Sequence, residues 1–419
     1  MSARPADFFL RPRSPLIFRS GKPFGTTGGG DGFGFPPPGT IAGALRAELA
    51  DAFDLALDAP ADHASLRTRL ECRGPLLARE TGGRVDVFFP CPADAVYLVA
   101  PDGTKRLVRA KPTDIQEASE GCDLPGKLLP VLLQADENDK REEKPVFWST
   151  TGMTAWLTGG LGPGFEETVL PPPEDTRTHV AIDPESLAHD EGRLFQSTGL
   201  DFEPRQVEHL NDKCREKQYR DAGHYFAPER WGLLARLQDS DDSTDLRKHL
   251  NQRGRRLGAD GRSVRMAARS GIWPEIPKEV DTALKNLGPG DRFCLVLATP
   301  AIFSGGWRPG GLIETTENHK TIFRGTLPGL DSVDIKLLAA AVGRWVAYSG
   351  WDMEPQPRGS RTMFGRPRAV RRLAPAGSVY WFELVNDPPA DLGKLWLAPV
   401  SDDPQDRRDG FGLALIGLG

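Results

Sequence analysis

Catalysis needs particular side chains at particular spacings, and this 419-residue chain offers few such sets. Its histidines, at 63, 179, 189, 209, 224, 249 and 319, show no metal-ligand spacing. Its five cysteines, at 72, 91, 122, 214 and 294, are an odd number without close pairs, which argues against a disulfide framework and a zinc knuckle. No HExxH, paired CxxC, GxSxG or kinase set is present. Asp239, Asp241, Asp242 and Asp245 cluster, but a solvated loop accounts for them better than a metal site. Residues 1–62 hold no histidine, so general acid–base chemistry in the first part of the chain has no obvious carrier. The expectation is no catalytic residue, no metal and no cofactor.

What remains is the chemistry of charge. The net charge of −5 argues weakly against a general nucleic-acid binder. Its distribution is uneven. Leu246 to Arg269 carries eight Lys/Arg and one acid, and Met353 to Arg372 carries six Arg and one Glu. Acid collects in Asp136 to Glu143 and in Asp239 to Asp245. A solvated face accounts for any single basic run. Two arginine-rich runs punctuated by glycine make local polyanion binding an equal reading.

The elements that would position these charges begin with Phe8 to Phe18, a strand with basic residues among β-formers. Arg11, Arg13, Arg19 and Lys22 lead into a glycine run at 28–32. Then comes Phe35 to Leu49, FPPPGTIAGALRAEL, where three prolines give a stiff entry and Thr40 is placed to cap a helix. Ile41, Leu45 and Leu49 form one apolar stripe. Gly43 costs about 1 kcal/mol of helix propensity, which suggests close backbone approach there. Arg46, one residue past Leu45, falls off the stripe and is expected to face outward. No Gly-Lys-Ser/Thr follows the glycines, so this β–loop–α unit is not a P-loop, and the prolines exclude a dinucleotide fingerprint.

The stretch LRPRSPLIFRSGKPFG followed by FPPPGTIAGALRAEL resembles the start of a CRISPR RAMP protein, in particular the third-subunit family of the type III-B Cmr effector complex. Thr176 to Phe202, Ala298 to Gly310, Gly350 to Leu384 and Gly410 to Gly419 fit the same family. None of these segments is a catalytic signature; their order and combination carry the likeness, which spans nearly the whole chain.

Length allows two or three domains, and 39% apolar residues allow a normal core. No run approaches the roughly 20 apolar residues of a membrane span, and MSARPADFF lacks a signal-peptide core, so the cytoplasm is expected. Two hairpins are expected within 74–110, and surface connections over 111–164 with Trp148 and Trp156 as isolated anchors. A helical tract is expected over 207–225. Strands are expected at Ser263 to Ala267, Asp291 to Thr299 and Ser378 to Val385, and in the apolar C-terminus. Lys336 to Tyr348 reads equally as a helix or as two β segments. SGGWRPG after Pro300 echoes the N-terminal strand-to-loop pattern and supports two related units.

The resemblance implies an α+β protein of two ferredoxin-like (RRM-related, RAMP) domains with large insertions, over 1–280 and 285–419. It implies a non-catalytic subunit that holds the 5′ tag of the crRNA beside a large palm-domain subunit and a backbone RAMP subunit. Arg19, Lys22 and Arg46 are candidate RNA contacts from the N-terminal unit. Arg177, His179, Arg193 and Phe195 are candidates from a hairpin that in related proteins reaches toward RNA; a buttressing hairpin is the equal alternative. Arg361, Arg366, Arg368 and the loop with Gly410 and Gly412 would meet phosphates, and Trp351 and Phe364 would stack on bases. The alternatives are the tag-holding subunit of a type III-A Csm complex, a RAMP endoribonuclease acting on CRISPR transcripts, and a structural adaptor without RNA contact. On this reading Gly43→Leu lowers the melting temperature, whereas Arg46→Ala leaves it unchanged and weakens RNA binding or assembly.

Overall fold

The computed structural model describes residues 5–19, 34–50, 53–56, 59–114, 124–125, 128–136, 138–142, 147–164, 168–183, 185–202, 230–241, 245–250, 254–317, 320–358, 361–386 and 392–419, with only the backbone described at 189–193, 320, 353–358 and 361–364. Lys22, the glycine run at 28–32 and the tract at 207–225 lie outside the described residues.

Among the described residues the chain builds two large antiparallel sheets, five small ones and few helices, an α+β architecture. The centre of the first sheet is β1 (Ala6–Pro12), β2 (Leu70–Thr81), β3 (Arg230–Asp239) and β4 (Ser263–Arg269), lying side by side in the order β2–β3–β1–β4. The centre of the second is β5 (Arg292–Leu297), β6 (Ile335–Ala341), β7 (Val379–Leu384) and β8 (Leu413–Leu418), in the order β6–β7–β5–β8. In both, the spatial order is second, third, first, fourth. The expected strands at 263–267, 291–299, 378–385 and the C-terminus are all present, and so are both hairpins within 74–110. The ambiguous segment 336–348 resolves into β6 and the short strand Val346–Tyr348.

Period-two alternation decides what each face of β1 meets. Ala6, Phe8 and Leu10 join a core with helix α1 (Pro38–Leu49), and Phe9 points to the opposite face. Ile41, Leu45 and Leu49 of α1 are fully buried, as their spacing requires. The helix starts three residues earlier than a Thr40 cap would place it: Pro38 occupies its first turn after Pro37, and no side chain caps it. Proline suits that position because its missing N–H has no intrahelical acceptor there.

Further helices are α2 (Pro60–Arg69), α3 (Thr150–Leu157), α4 (Leu246–Leu250), α5 (Lys278–Leu284) and α6 (Pro404–Arg408). The Ser149 side chain caps α3 by accepting from the Gly152 N–H at 3.2 Å. Trp148 and Trp156 are not isolated anchors: both are buried and meet edge to face at 5.2 Å. The two sheets share a core, in which Phe9, Leu76 and Leu234 of the first pack with Phe293 and Leu415 of the second and with Trp396 from a turn. No helix among the described residues is long and apolar enough to cross a membrane.

The close approach inferred at Gly43 belongs to Gly39 instead. A β-carbon at Gly43 would meet nothing within 4 Å, whereas one at Gly39 would lie 2.5 Å from the Tyr348 hydroxyl and 3.2 Å from the Phe411 ring. We therefore expect Gly39→Val to destabilise by about 1–3 kcal/mol through overpacking, and Gly43→Ala to be neutral or stabilising by up to about 1 kcal/mol. Denaturant unfolding of the two variants tests this; equal stabilities would refute it.

Candidate nucleic-acid interface

Burying the apolar stripe of α1 leaves Gly43 and Ala47 exposed on its outer side. These small residues form one wall of a cleft of about 530 Å³. His63, Leu66 and Arg67 of α2 form the second wall, and Tyr348, Trp351 and Arg368 the third. Arg46 and Asp409 lie at its floor. Trp351 is 57% exposed. Its indole lies over Gly365, a residue with φ +82° where a β-carbon would collide with the ring nitrogen. The cleft thus offers an apolar helix face and an aromatic plate, with cationic side chains from Arg67 and Arg368. That combination suits a base stacked on one side and a phosphate beside it.

Arg46 does not face outward. It is 6% exposed and pairs with Asp409, and its Nη2 donates to the carbonyls of Leu70 at 2.8 Å and Arg408 at 3.0 Å. The Gln405 side-chain amide also donates to Asp409, at 2.8 Å. Arg46 therefore ties α1 and the start of β2 to the residues after α6, and the expectation of an outward RNA contact is corrected. Next to this pair, Arg371 donates to both oxygens of Asp406 at 2.8 Å. Burial pushes the Asp406 carboxyl up from its usual range, against the pull of Arg371. Burial also pushes the Cys72 thiol up to about 12.

Gly410 and Gly412 are buried as well. The Gly410 N–H donates to the Arg407 carbonyl at 3.1 Å and the Gly412 N–H to that of Pro300 at 2.8 Å. With both donors engaged inside the chain, neither offers an N–H to a phosphate. Gly410 has φ +90°, and a β-carbon there would sit 2.7 Å from the Gly74 carbonyl oxygen. The requirement for glycine is close packing on β2.

The expected hairpin is formed by Glu174–Ile182 and His189–Leu200. His179 and Phe195 stand opposite each other and stack at 5.1 Å, and His179 Nε2 lies 2.6 Å from Ser197 Oγ. Arg177 donates to Asp175 at 2.8 Å. Phe195 is 46% exposed, and Val180, Ile182, Leu187 and Leu194 are exposed too, so the apolar side chains of this hairpin do not serve as a buried buttress. Its base joins the body where Leu16 and Leu200 exchange N–H···O bonds of 2.9 and 2.8 Å. The backbone of Arg193 lies in this hairpin; its side chain is outside the described residues. Arg19 is exposed, 4.0 Å from Asp260.

A second hairpin, Trp351–Arg358 with Arg361–Pro367, carries the other arginines. Asp352, 9% exposed, faces Arg366 at 3.5 Å and Arg368 at 3.8 Å. Arg361 and Phe364 occupy its return strand, and their side chains are outside the described residues. The structure thus gathers Arg46, Trp351 and Arg368 around one cleft and places Arg177, His179 and Phe195 on a separate hairpin. Sequence reasoning passed over His63 and Arg67. Pro60 and Asp62 mark the start of α2 in the sequence, but nothing there places its His63 and Arg67 at the cleft.

The family model for the CRISPR-associated protein (Cas_Cmr3) matches residues 8–418. Among solved structures, the chain resembles one in the cryo-EM structure of the type III-B Cmr-beta bound to cognate target RNA and AMPPnP, state 1, at 12% identity and TM-score 0.42. It also resembles one in the type III-B Cmr-beta bound to cognate target RNA, at 12% identity and TM-score 0.40. Each match covers 90% of this chain and 86% of the other. No curated protein matches the sequence.

Burial pushes the Tyr348 phenol at the cleft up from 10.0 to about 12. The folded state then holds a proton that the unfolded state releases near 10, so this group's contribution to stability is full below about 10 and is lost as pH rises toward about 12. Tyr348→Phe should flatten the fall in stability across that window. An unchanged alkaline profile in the variant would refute the assignment.

Proposed function

The chain belongs to the CRISPR-associated Cmr3 family, and from that premise we propose that it is a non-catalytic crRNA-binding subunit of a type III-B Cmr ribonucleoprotein. It holds the 5′ tag of the crRNA at the end of the complex, beside the large palm-domain subunit and the backbone RAMP subunit, in the cytoplasm. We further read both sheets as ferredoxin-like cores with large insertions. Their common order of second, third, first and fourth strand supports that reading.

The cleft is the observation that carries the proposal. Trp351 supplies a stacking plate, Arg67 and Arg368 supply charge, and the small side of α1 lets a base lie close to the helix. Single-stranded RNA is recognised in this way, through stacking and phosphate contacts. Arg366 stands at the same hairpin with its guanidinium directed by Asp352. The cleft supports holding RNA better than cutting it. His63 is its histidine, and Tyr348 beside it, with its phenol raised to about 12, is a poor proton-transfer partner near neutrality.

Trp351→Ala should weaken binding of a tag RNA by about 1–3 kcal/mol, the range for loss of one stacked base, with the melting temperature unchanged. Replacing Arg361, Arg366 and Arg368 together by Ala should also flatten the salt dependence by up to about two to three phosphate contacts. Unchanged affinity and slope in both variants would sink the assignment of the cleft. The second prediction concerns chemistry: incubation with CRISPR repeat RNA, with or without divalent metal, should leave the RNA intact. Specific cleavage that His63→Ala abolishes would show an endoribonuclease instead.

A further inference from the structure

The aromatic plate of the cleft is held by one small residue. Trp351 opens the strand Trp351–Arg358 and pairs with Pro367 on the return strand. Two positions before Pro367 is Gly365, a diagonal neighbour that a large aromatic side chain can reach. The register slips between Asp352 and Pro355, so Met353 and Glu354 stand opposite the single residue Gly365. Gly365 has φ +82°, a conformation that favours glycine. A β-carbon there would collide with Trp351 Nε1 and lie 3.0 and 3.1 Å from Cε2 and Cδ1, the two carbons that flank that nitrogen. The contact is therefore made by the nitrogen edge of the indole. Trp351 is 57% exposed, so its side chain has room to turn, whereas the strands around Gly365 are paired. A larger residue at 365 would displace the ring before it displaced the backbone.

We propose that Gly365 is the positioning residue of the cleft: it seats the nitrogen edge of Trp351 on the hairpin and so fixes the ring on which a base of the RNA stacks. The proposal rests on the reading of the cleft as an RNA site. Stacking depends on the angle and offset between two rings. An exposed tryptophan that turns freely loses that freedom only when a ligand arrives; a seated ring has lost it at folding, and less remains to be lost on binding. The seat also bears on selectivity. With Nε1–H turned to the hairpin, the indole offers a ligand its carbon faces and no donor. Such a face accepts any base. Trp351 therefore holds a base without reading its edge.

The test uses the full chain labelled with 5-fluorotryptophan and a short single-stranded RNA with the sequence of the crRNA 5′ tag. Trp351→Phe identifies the resonance of residue 351 in the fluorine NMR spectrum by its loss. Gly365→Ala should move that resonance, leave the other tryptophans in place, and weaken RNA binding at least about 5-fold, the low end of the loss for one stacked base. Alanine at φ +82° is strained, and Arg366 is the next residue, so the variant has two other routes to lower affinity. A Trp351→Ala background keeps those routes and removes the ring; there Gly365→Ala should change RNA affinity by less than about twofold. An unmoved resonance, or an equal loss of affinity with and without Trp351, overturns the positioning role and leaves the cleft as an RNA site. A melting temperature that falls in Trp351→Ala, together with unchanged RNA affinity in Gly365→Ala, also overturns it and assigns the contact to aromatic cover of a strand glycine. In wild type, a residue-351 resonance broadened by exchange before RNA is added overturns the seat even if the variant folds poorly. Wild type that fails to bind the RNA overturns the reading of the cleft and the proposal with it.

Discussion

A guanidinium and a carboxylate, each 6% exposed, meet where Arg46 of α1 reaches Asp409 after α6. Removing either charge from water costs several kcal/mol, and only good geometry with further hydrogen bonds offsets that. Here the Leu70 and Arg408 carbonyls take donors of Arg46, and Gln405 donates to Asp409. The pair is therefore stable only when α1, the start of β2 and the turn after α6 are all in place. That requirement couples the two sheets. It also makes the cleft, since α1 and α2 come from the first unit and Tyr348, Trp351 and Arg368 from the second.

The same constraint explains the glycines on both sides of the junction. Gly39 must pass beneath Tyr348, and Gly410 must lie against the backbone of β2 near Gly74. Tyr348 and Phe411 meet at 5.2 Å, and both rest against Gly39 of α1. The terminal glycine loop is thus a packing device. Its backbone donors are taken by acceptors within the second unit and are not available to a ligand, while Gly410 packs on β2 of the first.

Much of the fold was legible in the sequence because strands announce themselves locally. The β-formers from Phe8 onward and the apolar aromatic run Val379–Leu384 need no knowledge of distant partners, although the first strand is Ala6–Pro12 and does not run on to Phe18. The stripe of α1 was legible for the same reason. Arg46 was misjudged because a stripe of three residues defines one buried face, while the helix is covered on a second side by a segment more than 360 positions away in sequence. Gly43 and Gly39 were exchanged by the same route: a helical glycine signals a close approach or nothing, and the neighbour that decides is Tyr348. Trp351 was readable as an exposed aromatic beside arginines. His63 and Arg67 were not, since only the tertiary docking of α2 brings them to the cleft.

One device recurs at several surface arginines. Asp352, Glu80, Asp239 and Asp7 are each nearly buried, and each holds one or two arginines: Arg366 and Arg368, Arg269 and Arg230, Arg69, and Arg236. A free arginine loses about 2 kcal/mol of rotamer entropy when a ligand immobilises it. A buried carboxylate takes part of that loss at folding, so less remains to be lost on binding. The same carboxylates offset much of the positive charge. On the proposed function, this reconciles a net charge of −5 with RNA binding: the acidic body would repel polyanions at long range, and only RNA aligned with the oriented guanidiniums would gain the short-range contacts.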